Sequence, residues 1–450
     1  MIRSLLPTAF KRAIPLMVLL FLIPALVLIS RMINLRPPDA FGERPLEVET
    51  IPSDRVVSNR VSGRLPQALY QLESLAVQSE WSPQMLRQAG DLWRDMGNPS
   101  EAVSYWERAL QRQPGDVVLL RTLAQTYVEL QRWADARERL AQLVEIVPEA
   151  RWAHFELGLI LAAFDPQTAV IHLQEAADDS FYGDDALALL DVLADDPGDS
   201  LVGMRAGTVL AGQERWAYAE LAFTQVASLQ QPFPEALASV GLARDRQGKD
   251  GSRWIEQALA LDPENAEVRL LEGLHLRAVG EYNGSLDALI QAAALDPENP
   301  ALTAELSTAY RLVNDLPQAE YWLRIAVALS DDNPRFQQLL TLFYAEEVAT
   351  FPAAGLEHLQ QSIVILPNDP DVRAGFGWAL HTLGQTENGL AEIETALRIA
   401  PNNPRTLLYK ARILLDSDRP GEAIPLLQQV IATESPYADE AQQILNNLGA

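Results

Sequence analysis

The chain has 450 residues, of which 48% are hydrophobic, and its 61 acidic against 35 basic residues give a formal net charge of −26. It contains no cysteine, which excludes disulfides, thiol catalysis and cysteine-ligated metals. Nucleic-acid binding is also disfavoured, because the phosphate contacts that dominate such affinity need a basic face.

Near the N-terminus, the stretch from Ala13 to Ser30 carries no charge and follows three basic residues. An α-helix over residues 13–30 would be about 27 Å long, close to the thickness of the hydrocarbon core of a bilayer. The stretch is longer than the apolar part of a usual signal peptide, and no clean cleavage site follows it. We predict a cytoplasmic tail and an uncleaved transmembrane anchor in residues 1–30, with a cleaved signal peptide as the alternative.

The basic residues on the two sides of this stretch are nearly balanced, since Arg31, Arg36 and Arg44 follow it. Similarity to signal anchors favours a cytoplasmic N-terminus with the rest of the chain outside the cytoplasm. The arginine-rich composition and this form of anchor point to a single-pass protein of a bacterial inner membrane. Residues 31–65 contain four prolines and little periodicity, which predicts a flexible linker of about 30–35 Å.

From residue 90 onward, a small residue recurs at steps of 34, 34, 49, 34, 32, 34, 34, 36 and 34 residues. One period kept over more than 300 residues indicates a single structural unit used about ten times. The positions are Gly90, Ala124, Gly158, Gly207, Gly241, Gly273, Ser307, Thr341, Gly377 and Ala411.

Each unit is predicted to be a helical hairpin. In the unit from Pro83 to Asp116, apolar residues first recur at i, i+3, i+4 and i+7, which is one face of a helix. Gly97 and Pro99 then mark a turn, and Pro114 ends a second apolar pattern. Small residues let the two antiparallel helices approach each other closely. The first face holds Leu86, Ala89, Gly90 and Trp93, and the second holds Ala102, Trp106, Ala109 and Leu110.

This pattern resembles the tetratricopeptide-repeat family over about residues 83–435. The resemblance implies an all-α, right-handed solenoid of about ten helical hairpins, preceded here by one transmembrane helix. Residues 66–199 would hold an N-terminal helix, three units and an extra helix; residues 200–435 would hold seven units, and residues 436–450 a capping helix. The second unit matches the family pattern at Leu120, Leu123, Ala124, Tyr127, Ala136, Leu140 and Pro148.

Three places depart from the period. The step of 49 residues after Gly158 predicts one extra helix from Asp184 to Ala194. One unit is two residues short near Gly248, and another carries Thr341 where glycine or alanine is usual. We expect the stacking to be irregular at these places.

The chain shows no catalytic or cofactor motif. Its five histidines are scattered, and only His154 and His172 lie on the two helices of one hairpin, where they can approach each other. Two histidines without nearby carboxylates make a poor metal site. The acidic segment from Asp178 to Asp185 lacks the ligand spacing of a calcium-binding loop. We therefore predict no enzyme activity, no cofactor and no metal.

In the resembled family, fixed positions of each first helix line a groove that takes partner peptides. Here these positions hold apolar residues with scattered arginines. They are Trp152, Phe155, Leu159, Leu270, Leu274, Arg277, Arg311, Trp378, His381, Leu408 and Arg412. The resemblance implies a groove for an amphipathic helix or extended peptide; tight winding that buries these residues is the alternative. The lysine–asparagine clamp by which some members bind C-terminal carboxylates is absent, since Arg87, Asp91, Arg121 and Gln125 take its positions.

Together these features predict a non-enzymatic, membrane-tethered scaffold that binds partner proteins or peptides during assembly of a membrane or envelope complex. The alternative is a permanent structural subunit of a multi-protein membrane complex, whose helix from Ala13 to Ser30 packs on other membrane helices.

Overall fold

The structure of the protein is a computed structural model that describes residues 56, 60–194, 201–229, 233–330, 333–433 and 435–449. In these ranges every regular element is an α-helix, and 23 helices are defined. The chain divides into two compact units, one ending at residue 244 and one starting at residue 245. We call them the N-terminal unit and the C-terminal unit.

The helices of the N-terminal unit are α1 (Leu65–Ser79), α2 (Pro83–Asp95), α3 (Pro99–Arg112), α4 (Val117–Glu129), α5 (Trp133–Ile146), α6 (Arg151–Phe164), α7 (Pro166–Ala176), α8 (Gly183–Ala194), α9 (Val202–Gly212), α10 (Trp216–Ala227) and α11 (Pro234–Asp245), the last of which ends at the first residue of the C-terminal unit. The C-terminal unit continues with α12 (Ser252–Leu261), α13 (Ala266–Ala278), α14 (Tyr282–Leu295), α15 (Pro300–Leu312), α16 (Leu316–Leu329), α17 (Pro334–Glu346), α18 (Pro352–Ile365), α19 (Pro370–Thr382), α20 (Thr386–Ile399), α21 (Pro404–Asp416), α22 (Pro420–Ile431) and α23 (Ala438–Leu448).

Along the chain the helices form ten successive pairs, and each pair coincides with one predicted repeat. Only α1, α8 and α23 fall outside the pairs among the helices described. The extra helix predicted from Asp184 to Ala194 is confirmed as α8, which starts one residue earlier. The prediction of an all-α solenoid of helical hairpins is confirmed.

A close contact between a glycine and a large side chain joins the two helices in five of the ten pairs. A Cβ atom placed on Gly90 would lie 2.3 Å from Nε1 of Trp106, which is buried on the partner helix. Only glycine fits beside so large a side chain at this approach. The same arrangement recurs at Gly158 with Leu173, Gly207 with Phe223 and Gly273 with Leu289. At Gly377 the Cβ position lies 2.7 Å from the carbonyl oxygen of Gly389 and 2.9 Å from the Ile393 side chain.

Where the small residue is serine or threonine, its hydroxyl is hydrogen-bonded at the crossing. Ser307 Oγ donates to the carbonyl of Ala319 at 2.7 Å. Thr341 Oγ1 donates to Ser362 Oγ at 2.9 Å and lies 3.4 Å from Nε2 of His358. A buried hydroxyl is tolerated because it has a partner. The departure at Thr341 is thus a polar crossing between α17 and α18, whose hydrogen bonds join the two helices.

Folded structure begins before residue 66, which corrects the predicted extent of the linker. Val56 is helical and only 3% exposed, and it packs in one apolar cluster with α1 and α2. Arg60 Nε donates to Asp95 at 2.7 Å and Nη1 to Asp91 at 3.3 Å. The prolines that indicated a linker end at Pro52, so the proline signal did not extend to these residues.

None of the helices in the described ranges has the length and apolar character needed to cross a membrane. The predicted span from Ala13 to Ser30 lies outside those ranges.

Replacing Gly207 by alanine should lower the free energy of unfolding by about 1–3 kcal/mol, because overpacking forces the neighbouring side chain to move. Its Cβ would lie 2.4 Å from Cε1 of the buried Phe223 ring. Gly212→Ala on the same helix is the matched control, since no atom lies within 4 Å of its Cβ position, and its effect should stay within about 1 kcal/mol. Urea denaturation of both variants checks this. Equal midpoints for the two variants would show that the close approach of the helices does not require glycine at position 207.

Candidate partner-binding surface

The predicted groove residues of the C-terminal unit lie on the first helices of its hairpins. Leu270, Leu274 and Arg277 on α13 are partly buried. Arg311 on α15 is exposed, while Trp378 on α19 and Arg412 on α21 are partly buried. All six therefore keep part of their surface accessible to solvent. Leu408 does not, since its side chain is only 1% exposed.

The structure brings Trp378 and Arg412 together in what we call the C-terminal aromatic cluster, made of Trp378, His381, Tyr409 and Arg412. Trp378 and Tyr409 stack with ring centroids 5.4 Å apart and planes 19° apart. The Arg412 guanidinium lies 5.6 Å from the centre of the Trp378 ring, within the range of a cation–π interaction. The ring of His381 lies 5.6 Å from that of Trp378. Tyr409 was not foreseen because it lies next to a projected groove position rather than on one.

Charges around this cluster are already compensated by neighbours. Arg412 forms an ion pair with Glu440 on α23. Burial lowers the pKa of Arg412, because desolvation disfavours the charged guanidinium. Burial and the nearby Glu346 carboxylate raise the pKa of Tyr409, so its hydroxyl stays protonated at physiological pH. The accessible part of the cluster therefore consists of part of the Trp378 ring, part of His381 and an arginine that already has an acidic partner.

Ion pairs between successive repeats form what we call the inter-repeat ladder. In the C-terminal unit, Arg277 Nη1 lies 2.7 Å from Glu305, and Arg311 Nη1 lies 2.6 Å from Glu346. The N-terminal unit repeats the pattern, since Arg94 Nη2 lies 3.1 Å from Glu129. Partners are 28 or 35 residues apart. The two spacings differ by two helical turns, so both place the acid on the same face of the next helix.

The arginines predicted as groove residues therefore already form ion pairs with carboxylates of the protein itself. Each exposed pair contributes only about 0–1 kcal/mol. Sequence reasoning missed the acidic partners. Their signal is nevertheless present in the chain, because each acid lies either one residue more or six residues fewer than the 34-residue period after its arginine.

In the N-terminal unit, two predicted groove residues belong to the core, which corrects their assignment to a groove. Phe155 and Leu159 on α6 are 0% exposed. The Phe155 ring stacks on Tyr182 at 4.9 Å, and the guanidinium of Arg215 lies 4.8 Å from its centre. Tyr182 stands in the turn before the extra helix α8, so the insertion itself covers Phe155. Trp152 remains partly exposed, with the Arg121 guanidinium 5.2 Å from its ring.

A hydrogen-bonded chain of Asp245, His275 and Ser252 connects the ends of α11 and α12 to α13. His275 Nδ1 lies 2.6 Å from Asp245 Oδ2, and its Nε2 lies 3.3 Å from Ser252 Oγ. The order resembles a catalytic triad, and the hydrogen bond to the buried Asp245 carboxylate raises the pKa of His275. These hydrogen bonds join Asp245 and the first residue of α12 to α13.

The histidines expected to approach each other do so, since Nδ1 of His154 and Nδ1 of His172 are 3.0 Å apart. The described residues contain no group of three or more side chains suited to holding a metal ion.

Family models of the tetratricopeptide repeat match residues 94–156, 270–334 and 354–445. Among solved structures, yeast Tom70 is similar at 14% identity, covering 88% of this chain and 94% of that chain with a TM-score of 0.42. The APC/C hetero-tetramer Cut9-Hcn1 is similar at 15% identity, 87% and 94% coverage and a TM-score of 0.43. YrrB, a TPR protein with an unusual peptide-binding site, is 17% identical and covers 43% of this chain and 97% of its own, with a TM-score of 0.29. No curated protein sequence matches.

The matched ranges lie within the series of helix pairs, so these parts of the chain contain tetratricopeptide repeats. At such low identities, the likeness to solved structures concerns the fold alone.

Replacing Phe155 by alanine should lower the free energy of unfolding by about 3–5 kcal/mol, because a fully buried aromatic ring is removed. Trp152→Ala on the same helix should cost clearly less, since part of that ring is already in water. Guanidinium denaturation followed by far-UV circular dichroism measures both. An unchanged midpoint for Phe155→Ala would show that the Phe155 side chain is not buried in the core.

His358 and His275 should give opposite dependences of stability on pH. Burial lowers the pKa of His358 to about 4, and Arg324 contributes. The unfolded chain, with a pKa of about 6.5, then binds more protons, so stability falls as pH drops from 6.5 towards 4. For His275 the pKa is raised by Asp245, with Asp250 and Glu272 adding to it, so its contribution is present below pH 6.5 and is lost as pH rises through the folded-state pKa.

Thermal unfolding across pH 4–8 tests this with single glutamine variants. Relative to the wild type, His358→Gln should gain stability as pH falls, by roughly 1–3 kcal/mol. His275→Gln should lose most at low pH and least at high pH. Curves parallel to the wild type would show that neither histidine titrates differently on folding.

Proposed function

We propose that this protein is a non-enzymatic scaffold, tethered to a membrane, that binds partner proteins or peptides on the first helices of its repeats. The observation that carries the proposal is the C-terminal aromatic cluster. Tryptophan, tyrosine and arginine are the residues most enriched at the energetic centres of protein interfaces. Trp378 and Arg412 lie together here, partly exposed, on the first helices of successive repeats.

The charge of the chain favours a protein over a nucleic acid as the partner. The net charge of −26 opposes nucleic-acid binding, and the inter-repeat ladder already engages the arginines that would contact phosphates. We therefore propose a protein partner that presents apolar side chains to Trp378. Such a partner buries the indole, whose aromatic surface supplies much of the binding energy.

The membrane part of the proposal rests on the sequence from Ala13 to Ser30. An anchor there, with the repeats outside the cytoplasm, raises the local concentration of the repeats at the membrane where the partner complex assembles. We place the protein in a bacterial inner membrane on the strength of the uncleaved apolar stretch and the arginine-rich composition.

Cross-linking in native membranes, with mass spectrometry of the products, tests the proposal. The partners captured by the wild type should be lost with Trp378→Ala. Because Trp378 is partly buried, the exposed Arg311→Glu serves as a second variant on the same surface. Val364→Ala on α18 is the matched control, since that side chain is 79% exposed on a second helix, and it should keep the partners.

Folding of each variant is checked by its thermal midpoint. Unchanged capture by both folded variants would contradict binding on the first helices. Detergent extraction separates scaffold from permanent subunit: a scaffold should be recovered mainly alone, whereas a stoichiometric complex that survives purification would favour the permanent subunit.

A further inference from the structure

The extra helix α8 carries an exposed leucine on the side opposite its buried apolar face. Its inward face packs in the protein, and Ala186, Leu189 and Leu193 on that face are 0% exposed. Its outward face carries Leu187, which is 53% exposed, next to the exposed Ala188. A helix at a protein surface ordinarily has one apolar stripe and a polar opposite face. Packing in the core does not account for the exposed Leu187.

The turn before α8 extends this outward surface. Phe181 is 70% exposed and stands three residues before Asp184. Asp184, Leu187, Ala188 and Asp191 then follow at i, i+3, i+4 and i+7, and all four are exposed. We call Phe181 and these four residues the insertion face, because α8 is inserted into the repeat series.

Both carboxylates of the insertion face lack a basic partner within the described part of the chain, whereas the neighbouring Asp185 is paired with Arg215 at 2.8 Å. Asp184 lies in the first turn of α8, where a negative charge favours the helix. Asp191 lies in the last turn, where a negative charge opposes the helix dipole. The helix therefore carries at Asp191 a charge that weakens it in isolation and that no ion pair among the described residues offsets.

We propose that the insertion face binds a basic amphipathic helix of a partner protein. Apolar side chains of that helix pack on Phe181 and Leu187, and its lysines or arginines pair with Asp184 and Asp191. The two carboxylates are seven residues apart, about 10.5 Å along α8, which matches basic residues two turns apart on the bound helix. The inference deepens the proposed scaffold function and rests on it, but it uses a different surface from the C-terminal aromatic cluster.

The test uses the full-length chain in nanodiscs of zwitterionic lipid and a fluorescein-labelled, 18-residue helix of leucine on one face and lysine on the other. Fluorescence anisotropy should show binding that weakens with added salt, because the charge pairs are exposed. The same peptide with glutamate in place of lysine should bind at least tenfold more weakly.

Two double variants address the two parts of the face. Phe181→Ser with Leu187→Ser removes the apolar contacts, and Asp184→Asn with Asp191→Asn removes the charges. Each should raise the Kd of the lysine peptide at least tenfold and leave the thermal midpoint near that of the wild type, since all four side chains are exposed. Val364→Ser, at an equally exposed apolar site elsewhere, and Trp378→Ala should change the Kd less than twofold.

Unchanged affinity in both double variants would overturn the inference. Loss of binding with Trp378→Ala alone would also overturn it, because the peptide would then occupy the proposed scaffold surface, and the scaffold proposal itself would stand. Sedimentation gives a third outcome. If the wild type is a dimer and the double variant Phe181→Ser with Leu187→Ser is a monomer, the face binds a second copy of this chain, and the inference is overturned as well.

Discussion

In five of the ten hairpins, the fit of a glycine on one helix against a large side chain on its partner limits how the two helices pack. Gly90 and Trp106 show it at its tightest, since one added methyl group would overlap the indole. The contact sets how closely the two helices of a hairpin approach, and through that the surface each hairpin offers to the next. Because each repeat contacts its neighbours, the packing of one hairpin influences the hairpins on either side of it.

The insertion after α7 shows what happens where that regularity is interrupted. Tyr182, in the turn before α8, covers Phe155, and the buried carboxyl of Glu156 accepts a hydrogen bond from the Tyr218 hydroxyl of α10. Burial raises the pKa of Glu156 in spite of the nearby Arg215. Helix α6 is consequently a core helix, whereas the corresponding helices of the C-terminal unit keep one side in contact with solvent. The insertion therefore buries Phe155, a predicted groove residue, and adds the exposed insertion face of α8.

The hairpins could be predicted from the sequence because their determinants are local. Gly90, Trp106 and Pro114 lie within one repeat, so their spacing alone carries the information. What could not be predicted depends on contacts between repeats. The burial of Phe155 requires knowing where Tyr182 folds back, and the pairing of Arg311 with Glu346 joins residues 35 positions apart. The burial of the helical Val56 was missed because it depends on contacts with α1 and α2, and the sequence before it is rich in proline.

The inter-repeat ladder makes part of the contact between successive repeats of the C-terminal unit sensitive to salt. Arg277–Glu305 and Arg311–Glu346 lie at the protein surface, where their attraction is screened by dissolved salt. The packed crossings between helices are insensitive to salt by comparison. Added salt therefore weakens the attraction between successive repeats at this edge, while the contacts inside each hairpin stay the same.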